Sequence, residues 1–141
     1  MSNKAELQAL IDRVKAATGP DREIDLEIAL FAGWTHVRMK GDAKPYWRKP
    51  GETQYFMRSE PPRYTASLDA ITALIERELP GAMWSACVME EGPFAQIIRV
   101  MPDGGYVGGL TASNAATPAL ALTAAFLSAM IAQMESEHAE A

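Results

Sequence analysis

Two stretches decide the fold, 83-MWSACVMEEGPFAQIIRV-100 and 117-TPALALTAAFLSAMIAQM-134. Met83 to Met89 and Phe94 to Val100 are apolar runs of strand length around Glu90-Glu91-Gly92-Pro93, a spacing that predicts a β-hairpin. Asp103-Gly104-Gly105 turns the chain again, into a third expected strand over Tyr106 to Leu110. Thr117 is placed to cap a final helix, with Pro118 at the first helical position, where its missing N–H has no partner to lose. Leu120, Leu127, Met130, Ile131 and Met134 supply the apolar face of that helix.

Upstream the period changes to that of helices. Leu7, Leu10, Ile11 and Val14 recur at three- and four-residue spacing within Ser2 to Ala17, and Gly19-Pro20 ends the pattern. Asp21 is an N-cap for a second helix carrying Ile24, Ile28 and Phe31, which Gly33 terminates. Ser67 caps a third, with Leu68, Ile71, Leu74, Ile75 and Leu79 before Pro80-Gly81. Thr35 to Met39 is a short strand. The expected order is ααβ(loop)αβββα, a single α+β domain over residues 1–141 with helices packed on an antiparallel sheet of three to five strands. The tail over 135–141 is acidic and expected to fray.

Between the second and third helices lies the one chemically unusual segment. From Trp34 to Tyr64 there are seven basic residues against three acids, a net +4 in a chain that carries −5, so the remainder carries −9. The segment also holds six of the eleven aromatic residues. Pro45, Pro50, Pro61 and Pro62 forbid a long helix, and Pro50-Gly51 is a turn between Tyr46-Trp47 and Tyr55-Phe56. Arginine offers a two-pronged donor set for phosphate or carboxylate, and aromatic faces stack on planar groups. The candidate ligand-binding residues are therefore Trp34, His36, Arg38, Tyr46, Trp47, Arg48, Arg63 and Tyr64. The competing reading is that the rings cover the sheet while the cations stay solvated.

Four stretches in this order carry a resemblance: Ala17-Thr18-Gly19-Pro20-Asp21-Arg22-Glu23-Ile24-Asp25, Tyr46-Trp47-Arg48-Lys49-Pro50-Gly51, Tyr64-Thr65-Ala66-Ser67-Leu68-Asp69-Ala70, and Ala116-Thr117-Pro118-Ala119-Leu120-Ala121-Leu122. They resemble the phage ABA sandwich domain family, small proteins of bacteriophages and prophages named for an α/β/α layering. The resemblance implies that layering and a viral or prophage origin. It supplies no function and no catalytic residues.

Other chemistry is argued down. The net charge of −5 disfavours double-stranded nucleic acid and anionic lipid as partners. Helix three, the strands and the last helix echo the order of a double-stranded-RNA-binding domain, yet residues 113–118, SNAATP, hold none of the bases such a domain places there. Gly104-Gly105 and Gly108-Gly109 lack the context of a phosphate loop and read as a turn and a bulged strand. His36 has no Cys or His cluster around it, so neither a metal nor a catalytic set is expected, and no cofactor. Cys87 is expected to be a buried, inert thiol, and a lone cysteine with no spanning apolar run or leader points to the host cytoplasm.

The resulting expectation is a non-enzymatic phage accessory protein that binds a small anionic aromatic ligand, nucleotide-like, as a means of sequestering a host defence signal. The alternative is a protein-binding or structural module using the same basic-aromatic surface on a host or phage protein, with a hydrolase least favoured. Ala121, Ala124, Ala125 and Ala129 also suggest close helix approach in a homodimer or higher homo-oligomer.

Overall fold

A computed structural model describes residues 4–38, 40–41, 45–51, 59–99 and 110–140. The order is α1 (Lys4–Ala16), α2 (Arg22–Phe31), β1 (Thr35–Val37), β2 (Tyr46–Arg48), α3 (Leu68–Glu78), β3 (Met83–Met89), β4 (Gly92–Ile98), β5 (Leu110–Asn114) and α4 (Pro118–Glu140). This is the expected α+β class, with helices packed on antiparallel sheets, one of two strands and one of three. The insert contributes a strand that the sequence left open: Tyr46–Arg48 pairs with Thr35–Val37.

The helix ends form where local hydrogen bonding dictates. The Asp21 carboxylate accepts from the N–H groups of Glu23 and Ile24 at 2.9 and 3.2 Å, and Ser67 Oγ accepts from Ala70 at 3.2 Å. Thr117 Oγ1 accepts from Leu120 N–H at 3.1 Å, one turn into α4. At the far end of α2, Gly33 N–H donates to Leu30 and Trp34 N–H to Ala29. That pair of bonds is a Schellman motif, and it needs the positive φ of 99° that Gly33 supplies.

Helix α4 is the centre of the molecule. It packs on α1, on α3 and on the three-stranded sheet, mainly over β4 and β5. Leu120, Leu122, Phe126 and Leu127 are fully buried on different sides of it. A helix apolar all round belongs inside a protein or a bilayer; although α4 is long and apolar enough to cross a membrane, these side chains are covered by protein. Ala121, Ala124, Ala125 and Ala129 are also fully buried, which corrects their expected role as a dimer surface: they let α4 approach its own neighbours closely.

Strand pairing in the large sheet runs β3-β4-β5, with Ala95 facing Ala86 on one side and Ser113 on the other. Alternation places Trp84, Ala86, Val88, Ala95, Ile97, Thr111 and Ser113 on the face toward α4. Thr111 Oγ1 confirms this by donating to the Ala125 carbonyl at 3.1 Å. The expected strand over Tyr106 to Leu110 lies, except for Leu110, outside the described residues, as do both glycine pairs; the described β5 runs from Leu110 through the small residues Thr111 to Asn114. Small side chains suit a strand pressed against an alanine-rich helix. Cys87 is exposed, a correction to the buried thiol expected from its apolar strand, because it points to the face that α4 does not cover.

Candidate binding surface

The basic-aromatic insert is built on a short antiparallel ladder in which Thr35 faces Arg48, His36 faces Trp47 and Val37 faces Tyr46. Trp47 also bridges to Ser59, so the chain returns beside β2 before entering α3. The His36 and Trp47 rings meet at 4.7 Å between centroids, tilted by 31°. Arg48 Nε donates to Thr35 Oγ1 at 3.3 Å across the ladder.

The structure separates the eight candidate residues into three groups. Trp34, Trp47 and Tyr64 are core residues, 6%, 9% and 3% exposed. This corrects their assignment as open stacking platforms: burying a large ring in the core stabilises more than leaving it in water, and the hairpin folds inward to do so. Burial pushes the Tyr64 phenol up from 10.0, an effect that the nearby Arg77 guanidinium and Trp34 indole partly offset. His36, Arg38 and Arg63 are exposed, while Tyr46 and Arg48 are half-buried. Lys40 and Lys49, basic neighbours outside the candidate set, are exposed as well. Tyr55 and Phe56 lie outside the described residues.

A cleft of about 270 Å³ opens beside Trp47, lined by Arg22, Leu26, Pro45, Ser59, Glu60 and Pro61. Its one guanidinium is already engaged. Arg22 donates to the Pro61 and Pro62 carbonyls at 2.8 and 3.1 Å and to Asp25 Oδ2 at 3.4 Å. Asp25, 2% exposed, accepts at Oδ1 from Thr65 N–H at 2.8 Å and from Thr65 Oγ1 at 2.7 Å. Thr65 Oγ1 in turn accepts from Asp21 N–H at 2.9 Å. A hydroxyl has one proton, so the shorter, charge-assisted bond to Asp25 takes it in preference to the Asp21 carbonyl at 3.2 Å.

Sequence reasoning missed this network, although its members were on the page. Asp21, Arg22 and Asp25 share one quoted motif, and Tyr64 and Thr65 open another. Thr123 Oγ1, one residue past the last motif, donates within its helix to Ala119 at 2.7 Å and stands 3.4 Å from the Tyr64 carbonyl. The motifs thus converge on a tie between α2, the segment that leads into α3, and α4. A buried carboxylate with three donors is a structural device here, since every donor belongs to the chain itself.

Among the described residues no group of three or more His, Cys, Asp or Glu side chains converges as a metal site requires. Compared with models of protein families, with curated proteins and with solved structures, the chain matches none.

Proposed function

We propose that the protein is a non-enzymatic binding module, phage-encoded as its sequence motifs suggest, that docks on an acidic surface of a host or phage protein in the host cytoplasm. The observation that carries this reading is the division within the insert: Trp34, Trp47 and Tyr64 turn inward while Arg38, Lys40, Lys49 and Arg63 stay exposed. Exposed cations on an otherwise acidic chain steer encounter with an acidic partner and suppress association with basic ones.

Nucleotide-like ligands form the second reading, favoured by the cleft beside Trp47. Its volume falls just under the roughly 300 Å³ at which small-molecule pockets usually begin, and its arginine is spent on protein carbonyls. Both facts weigh toward a protein partner.

The test is capture from a bacterial lysate by tagged wild-type protein and by an Arg38→Glu, Arg63→Glu double variant. A partner held by these cations is recovered by the wild type alone and released at about 0.5 M salt, where screening is strong. Recovery of the same species by both proteins overturns the docking reading. Calorimetry with linear and cyclic nucleotides runs alongside, and saturable binding there establishes the second reading instead.

A further inference from the structure

Among the described residues strand β3 is an edge of the three-stranded sheet, with β4 as its one neighbour. Its seven residues, Met83-Trp84-Ser85-Ala86-Cys87-Val88-Met89, pair with β4 in unbroken register from Met83–Ile98 to Met89–Gly92. Among the described residues nothing pairs with its other side. Every second residue of an edge strand turns its N–H and C=O away from the sheet, so β3 presents a ready ladder. Proteins usually guard such an edge with lysine, proline, a bulge or an inward charge. Here there is none of these, and no charged residue at all within the strand.

Exposure along the strand is equally unusual. Met83 is 51% exposed, Trp84 40%, Val88 72% and Met89 50%. Trp84 and Val88 point to the helix-covered face, yet α4 lies mainly over β4 and β5, leaving them overhanging. Cys87 and Ser85 are exposed on the opposite face.

We propose that β3 is the interface for a second copy of this chain, joined edge to edge across a two-fold axis at Ala86 to make one continuous sheet of six strands. The argument is the self-complementarity of the sequence. An antiparallel two-fold about Ala86 sets Met83 opposite Met89 of the other copy, Trp84 opposite Val88, and Ser85 opposite Cys87. Each overhanging apolar residue meets another, and the small Ala86 sits on the axis. An aromatic opposite a β-branched residue is among the better cross-strand pairs. Both copies keep α4 on the same side, so Trp84 and Val88 of the two chains floor the groove between the two α4 helices.

Charge favours the same register. Two chains of −5 repel, and Glu90 and Glu91 flank one end of β3. The two-fold puts Glu90 of each copy opposite Ala82 of the other, with the acids at opposite ends of the ladder. They stand roughly 25 Å apart at about 3.3 Å per residue, well beyond the screening length in physiological salt. Isologous contacts of this kind close on themselves as dimers and do not propagate into fibres.

Sedimentation of the full chain from about 1 to 100 μM tests this, a range that spans ordinary dimer affinities. The wild type should sediment as a dimer, and Val88→Glu, at the most exposed position, should weaken association at least tenfold. Leu30→Glu, at another exposed apolar site on α2 with 46% exposure, should leave association unchanged. Cys87, the single cysteine, reports the register. Two copies of Cys87 are diagonal neighbours about 7–8 Å apart in this pairing, within reach of a short bis-maleimide. The wild type should cross-link and Val88→Glu should not. Hydrogen exchange of the wild type needs no variant: β3 amides should gain protection as concentration rises. A monomer at 100 μM, or a dimer unmoved by Val88→Glu whose Cys87 thiols do not cross-link and whose β3 amides stay unprotected, overturns the proposal.

Discussion

Thr65 closes both its N–H and its hydroxyl on one buried oxygen of Asp25, forty residues earlier in the chain. Each bond is charge-assisted and shielded from water, where such bonds are strongest. Thr65→Val keeps the shape and removes the hydroxyl, leaving the carboxylate short of a donor. Urea unfolding should show a loss of about 1.5–3 kcal/mol. Thr65→Ser, which keeps the hydroxyl, should lose much less, and equal losses would mean that the methyl group matters and the bond does not.

Tyr64 gives the fold an alkaline limit. Burial raises its phenol above 10.0, so the folded chain holds the proton more tightly than the unfolded one. A raised folded value means that its contribution is complete below pH 10 and is lost as pH climbs through the folded value. Thermal melts from pH 8 to 11 should show Tm falling from about pH 10 upward, beyond the decline that exposed residues produce. Tyr64→Phe, which has no proton to lose, should flatten that fall.

Leu127 faces the centre of the core with no exposed surface. Leu127→Ala leaves a cavity that its neighbours fill only in part, and should cost about 2–5 kcal/mol in a urea melt. A loss well below that would place the residue in a region able to collapse.

At Gly33 the backbone rather than a side chain sets the cost. An alanine there must adopt φ of 99°, and its Cβ would stand 3.3 Å from Pro50 Cγ. The expected loss for Gly33→Ala is about 1–2 kcal/mol. The turn both ends α2 and aims Trp34 into the core, so near-ultraviolet circular dichroism of that ring should change with it.

How legible this was in the sequence follows from the range of each interaction. Asp21, Ser67, Thr117 and Gly33 act within four residues, so their caps and stops could be read directly. The period of Leu7, Leu10, Ile11 and Val14 likewise fixed which side of α1 is buried. The strand-length apolar run and the hairpin spacing told strand from helix in β3 but not which face would be covered, since α4's position over β4 and β5 is a tertiary fact. That is why Cys87 was expected inside and lies outside. The insert misled in the opposite sense: composition marks rings and cations as neighbours, while tertiary packing decides that Trp47 is buried and that His36, its cross-strand partner, lies exposed against it. The Asp25–Thr65 tie spans forty residues, and no local signal joins its ends.

Two arginines separate architecture from function. Arg22 holds the Pro61 and Pro62 carbonyls and Asp25, so Arg22→Ala should lower stability by about 1–3 kcal/mol, discounted for its partly exposed side chain. Arg38 lies exposed just past β1, and Arg38→Glu should leave the melting temperature within error. If the cations of this surface steer the chain to an acidic partner, that reversal should slow association about tenfold at low salt. The difference should vanish as screening rises, while the dissociation rate changes little, because a rim charge acts on encounter more than on the bound state. Surface plasmon resonance with the captured partner, at several salt concentrations, reads both rates. An Arg38→Glu variant that associates as fast as the wild type at every salt concentration would remove this residue from the binding surface.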